Sequence, residues 1–421
     1  MSKFKLSIAC IMIMSIETLA NTPIETIEEE STPVEIRSVR SILGDYDLLA
    51  HTKGQIRAGY ITFSEDGTKR TSGYALGGHY HLNTKRYYGL KVGAEIYTVL
   101  NIGINQDPIN ENGDFFNKNN NGFILLSQAY LSGKWGNTEI KLGRQTLDTP
   151  HADSDDIRMM PNYFEAYTIT NTDIDNVTLT AGMIDKMAGW ENGIDSPKFV
   201  DVAETLGVNK TDGIYYASAS YEGIENLSLA LWYYHYSDIA NVLYAEAGYN
   251  FALSQNSTFT LGLQYDSSQE TGSALLGKQD AQTFGISLEA QFDSLGLTIL
   301  AAYNQDDGDT GAMGLSLGGG TFFTSMEDQT LDAIGTAGSA WMIGAGYDFG
   351  KVGINDLTFG IAYGNFEAKE HSTYKANEID TILEYSYNEK LSFTAALALV
   401  DFKVAGIKDY EQFRVIGSYN F

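Results

Sequence analysis

From residue 54 onward one pattern recurs: a segment of alternating side chains, a break, then another such segment. Leu391, Phe393, Ala395, Leu397 and Leu399 alternate with Ser392, Thr394, Ala396 and Ala398. Leu357, Phe359, Ile361 and Tyr363 alternate in the same way with Asp356, Thr358, Gly360 and Ala362. A period of two puts successive side chains on opposite faces of an extended strand, and an α-helix cannot follow it. Eighteen such segments can be marked, from 54–63, 71–82 and 87–103 to 376–387, 390–402 and 410–421. The fold class that follows is all-β.

The two faces and the breaks narrow this further. A barrel of so many strands encloses too wide a lumen for side chains to fill. The small and polar face must therefore meet water inside, and the apolar face must meet lipid outside. The connections alternate in length, with 104–122, 148–161, 188–212 and 306–338 long and 135–137, 222–225, 253–256 and 293–294 short. Transmembrane barrels keep short turns on the periplasmic rim and long loops outside, and cross with strands of about 9–11 residues. Aromatic residues near strand ends, among them Tyr87, Tyr88, Trp232, Tyr233, Tyr347, Phe349, Tyr385 and Tyr387, suit the two interfacial girdles. The expected architecture is a transmembrane antiparallel β-barrel of about 18 strands with inward-folded loops. Phe413, Val415, Gly417, Tyr419 and Phe421 share one face of the last segment, which resembles the C-terminal recognition strand of bacterial outer-membrane proteins.

Composition excludes other classes. The formal net charge is −27 and the isoelectric point about 4.4, so polyanions are repelled and nucleic acid is not an expected partner. Cys10 is the one cysteine, and it lies in a segment with Lys3 and Lys5 ahead of a mostly apolar run ending at Ala20. Residues 1–20 read as a secretory signal, 21–52 as an acidic N-terminal leader and 53–421 as the barrel. Beyond the signal no apolar run reaches the roughly 18 residues that a spanning helix needs.

The interruption from Leu142 to Phe164, LGRQTLDTPHADSDDIRMMPNYF, has no strand pattern in its middle. It carries Asp148, Asp153, Asp155 and Asp156 between Arg144 and Arg158, with Pro150 and Pro161 among them. The expectation is a charged loop folded into the lumen, where it narrows the pore. Other motifs carry less. Gly314 to Gly318 matches G-x-S-x-G but sits in a glycine-rich loop rather than at a strand–turn–helix elbow. Asn304 to Asp309 lacks the spacing and closing Glu of a calcium loop. His79 and His81 share a strand face without a third ligand, so no metal, cofactor or catalytic residue is expected. Trp190 to Lys210 reads as an exposed loop.

The run from Leu142 to Ala166 resembles the OprD family of outer-membrane porins, whose third loop carries a similar G-R-Q, L-x-T-P, D-x-R and P-x-x-F-E series. Arg144, Asp148, Asp156, Arg158 and Pro161 occupy matching positions. The resemblance implies a monomeric or loosely trimeric barrel in which the third and seventh loops fold inward. It also implies a wall of basic residues that leads carboxylate-bearing solutes through. Arg57, Lys91 and Lys141 are inward by alternation and are the candidates for that wall. Inward acids outnumber them (Glu95, Glu289, Glu378, Asp380, Glu384), so the expected pore prefers cations. The function expected is a diffusion channel for small hydrophilic solutes and ions, in contact with outer-membrane lipid and lipopolysaccharide. An adhesin using the long loops is the competing reading, and a hydrolase built on His151 a third.

Overall fold

A period-two chain with small residues on one face should close on itself, and it does. The structure, a computed structural model, describes residues 49–104, 115–117, 120–156, 158–311, 315–318 and 320–421. The expected signal, Cys10, most of the leader and Gly314 of the G-x-S-x-G run lie outside these residues. The first strands are β1 (Leu49–Glu65), β2 (Thr71–Thr84), β3 (Leu90–Asn101), β4 (Phe123–Trp135), β5 (Thr138–Gln145) and β6 (Tyr163–Asn171). They continue with β7 (Val177–Ala188), β8 (Ile214–Ile224), β9 (Leu227–Tyr236), β10 (Ala240–Ser254), β11 (Ser257–Glu270) and β12 (Asp280–Phe292). The last are β13 (Leu297–Asp306), β14 (Gly338–Asp348), β15 (Leu357–Ala368), β16 (Lys375–Ser386), β17 (Leu391–Phe402) and β18 (Tyr410–Asn420). The sheet also takes in a two-residue stub, Val200–Asp201, paired to β7.

Each of the eighteen pairs antiparallel with its sequence neighbour, and β18 pairs with β1 from Gln55↔Asn420 to Glu65↔Tyr410. At the end of that seam Gly54 and Phe421 exchange two backbone hydrogen bonds of 2.9 Å. Among the described residues no strand edge of the barrel is left, so its ladders are satisfied within the chain, as a hydrocarbon surround requires. One rim carries turns as short as 136–137, 225–226 and 255–256, and the other carries 102–122, 146–162, 189–213 and 307–337. The two chain ends of the barrel lie on the short-turn rim. The connections 146–162, 189–213 and 307–337 are called L3, L4 and L7 by their order on the long-loop rim.

Leu263, Phe284, Ile286, Ile343 and Ile361 are exposed on the outer face, while Gln264, Thr283, Ser287, Met342 and Ala362 of the same strands are buried inside. The apolar core therefore lies between the wall and the loops that fold onto it. Phe322, Phe323, Met326 and Leu331 of L7 pack on inward Leu300, Ala302, Met342 and Phe366. Met159 and Met160 of L3 pack on Ile61, Tyr97 and Val99. Burying each large side chain stabilises the docked loop by about 1.5–3 kcal/mol.

The expected exposed loop at Trp190 to Lys210 is a correction. A 3-10 turn (Trp190–Asp195) leads into a helical turn (Val202–Thr205) whose Val202 and Ala203 are buried. Asp201 caps that turn by accepting the Ala203 N–H at 2.8 Å. The Val202-Ala203 pair follows the Val200–Asp201 stub, which is paired to β7, and turns inward from it.

Candidate functional site

L3 leaves β5 and makes a two-residue ladder, Asp148–Thr149 against Ala152–Asp153, with Pro150 and His151 at its turn. Proline has a fixed φ suited to the second position of such a turn. The Thr149 hydroxyl completes it by accepting the Ala152 N–H at 3.1 Å. The tip reaches the wall at β11, where His151 Nε2 lies 2.7 Å from Asp266 Oδ2, both side chains being buried. The rings of Tyr234 and Tyr244 stand edge-on to His151. The return limb of L3 crosses to β1. There Arg57 pairs with Asp156 and also donates to the carbonyl of Arg158 at 3.1 Å. From β3, the Tyr97 hydroxyl donates to the carbonyl of Met159 at 2.5 Å.

L7 lies alongside. Leu317 N donates to the His151 carbonyl at 2.9 Å, and Asp153 N donates to the Leu317 carbonyl at 3.1 Å, a parallel bridge between the two loops. The Thr321 hydroxyl donates to the Pro150 carbonyl at 2.8 Å. Gly318 is required at this crossing. Its φ is +85°, and a Cβ there would meet Asn162 Nδ2 at 2.1 Å and the Asp153 carbonyl at 2.6 Å. Further along, Glu378 of β16 accepts the backbone N–H groups of Asp328 and Gln329 at 2.9 and 2.7 Å, and Asp380 accepts that of Glu327 at 3.0 Å. Glu327 itself pairs with Arg414 of β18. L4 buttresses the pair: Glu191 accepts the Gly318 N–H at 3.1 Å, and the Trp190 ring lies 4.4 Å from the Arg158 guanidinium.

Two loops from the long-loop rim thus meet inside the barrel. Their carboxyls are held in unusual states. Burial, then repulsion by Asp155 and Asp148, pushes Asp153 up to about 8. Burial and the nearby Glu327 push Asp155 up to about 6, and burial with Asp332 pushes Glu191 up to about 7. Burial also raises Asp148, against the opposing pull of the Lys141 ammonium. Carboxyls crowded this way cannot all ionise together, and part of the cluster holds protons near neutral pH.

The expected site residues divide into three groups. Asp148, Asp153, Asp155, Asp156, Arg158 and Arg57 come together at the L3–L7 crossing. Lys91 and Lys141 stand in one row across β3, β4 and β5, each in register with Ser132, and the Lys141 ammonium lies 4.3 Å from the Tyr130 ring. Arg144 does not join the cluster. It shares a β5 face with Leu142, pairs with Glu165 of β6 at 3.3 Å and lies over the Phe199 ring. Sequence reading missed Arg414 and Glu327, although Arg414 alternates with Phe413 and Val415 and was inward by that signal. The contact between Ala152 and Leu317 had no signal at all.

A family model described as "outer membrane porin, OprD family" matches residues 127–421. The fold is similar to that of Pseudomonas aeruginosa OccK9 (OpdG), with TM-score 0.76 at 19% identity, covering 88% of this chain and 97% of that one. It is similar also to P. aeruginosa OpdK (TM-score 0.74, 20% identity, 89% and 99% covered). Acinetobacter baumannii OccAB1 gives TM-score 0.74 at 18% identity, with 89% and 97% covered. No curated protein matches the chain. With an eighteen-strand closed barrel, two loops meeting in its lumen and a family model over most of its length, the chain belongs to the OprD family of bacterial outer-membrane porins.

Proposed function

We propose that this porin is a passive channel for small hydrophilic solutes and ions, with a preference for cations. The observation that carries the reading is the gathering of Asp148, Asp153 and Asp155 where L3 and L7 cross. Charge at a constriction sets ion preference because low-dielectric walls focus its field on anything that passes. Solutes here would move down their own gradient, with no step beyond binding and release. One solved OpdK structure is with vanillate, an aromatic carboxylate, which makes an anion-conducting pore the reading to be beaten.

Purified protein in a planar bilayer under a KCl gradient tests this. Stable conductance steps with a reversal potential of cation sign are expected. A clear anion preference would overturn the cation reading, and an electrically silent barrel would favour the adhesin.

A further inference from the structure

Arg57 and Arg414 project into the lumen from β1 and β18, the two strands that meet at the seam, with 8% and 5% of their surfaces exposed. By position each belongs to a positive wall. Each is instead covered by a carboxylate from a different loop. Asp156 of L3 lies on Arg57, and Glu327 of L7 lies on Arg414. Arg57 Nη1 also faces the carbonyls of Arg158 and Met159 at 3.1 and 3.5 Å, and Arg414 also donates to Gln412 at 2.5 Å. Register sets Arg414 opposite Ile61, four residues along β1 from Arg57, so the two pairs form neighbouring sockets on one stretch of wall.

We propose that Asp156 and Glu327 determine the selectivity of this pore by masking Arg57 and Arg414. The wall arginines then serve as seats for the loops and not as a relay for anionic solutes. The inference rests on the reading that the L3–L7 crossing is the conducting constriction, and it deepens that reading by naming the residues that set its sign. Burial makes masking effective. In each socket the guanidinium is the more buried partner (9% against 42% exposed for Arg57 and Asp156, 5% against 11% for Arg414 and Glu327), so a permeating ion meets the carboxylate and not the arginine, whose field the carboxylate offsets. Removing one partner exposes the full charge of the other.

Three variants in a planar bilayer under a KCl gradient decide the matter. In Asp156→Asn/Glu327→Gln two positive charges are uncovered, and the permeability ratio of potassium to chloride should fall by about threefold or more relative to wild type. In Arg57→Gln, where Asp156 is uncovered, the ratio should rise. In Arg57→Gln/Asp156→Asn both charges of one socket are gone, and the ratio should stay near wild type while the conductance grows as L3 loosens. An unchanged ratio in the first two variants overturns the masking, even with a cation-preferring wild type. An anion-preferring wild type with the same opposite shifts would sink the cation reading and leave the masking standing. Should the double loop variant fail to insert, the rise in Arg57→Gln alone carries the test, and its absence refutes the proposal.

Discussion

At the scale of residues, the loop carboxyls behave as a graded set. Asp155, Glu191 and Asp153 are pushed up to about 6, 7 and 8, so each is neutral below its value and negative above it. Raising the pH from about 5 to about 9 therefore adds negative charge at the crossing in steps, and cation preference should climb with it. Reversal potentials over that range measure the climb. Asp153→Asn should remove its upper part, centred near 8. These residues were legible as an acidic cluster because they crowd one short stretch of sequence. Their partners were not: Arg57 lies 99 positions from Asp156, and nothing in local sequence links them. Arg144 was misleading because it belongs to the same charged run yet sits on a strand, where alternation gives it the face of Leu142 and register sets it opposite Glu165. Glu165 and Phe199 then hold it there.

At the scale of elements, L3 is a beam supported at both ends. Its tip rests on Asp266 through His151 and its return limb on Arg57. Replacing His151 by Ala leaves the buried Asp266 carboxyl without that hydrogen bond, a defect of about 1–3 kcal/mol. That loosens the tip, which keeps its bonds to L7, while the wall stays intact. Single-channel recording of His151→Ala should show a larger, noisier conductance, with the heat-modifiable gel mobility of the folded barrel unchanged. Wild-type conductance in that variant would mean that the tip carries no part of the constriction. Strands were legible one at a time, since alternation is a local property. L4 was not, because its apolar residues from Phe199 to Val208 follow no sustained period of two or of 3.6 that would say which way the loop packs.

At the scale of the whole molecule, the two faces of each strand answer to two solvents. Leu397 and Thr394 of β17 make the contrast within one strand, the first in phase with the exposed Phe393 and Leu399, the second facing the lumen. Leu397→Arg should cost about 2–4 kcal/mol near the bilayer midplane, and Thr394→Arg about 1 kcal/mol or less. Urea unfolding from lipid vesicles compares them, and equal costs would contradict the assignment of faces. Strand number and sidedness were both legible, because one rule repeated along the chain encodes them. What no repeat encodes is how the loops join the two ends of the barrel. β1 holds L3 through Arg57, L3 holds L7 through the Ala152–Leu317 bridge, and L7 holds β18 through Arg414. The first and last strands are thus fastened twice, once by their own ladder and once by a strut running through the lumen. Prying the seam apart would mean pulling L3 and L7 apart as well, so the loops inside the barrel also work as the clasp that keeps the cylinder shut.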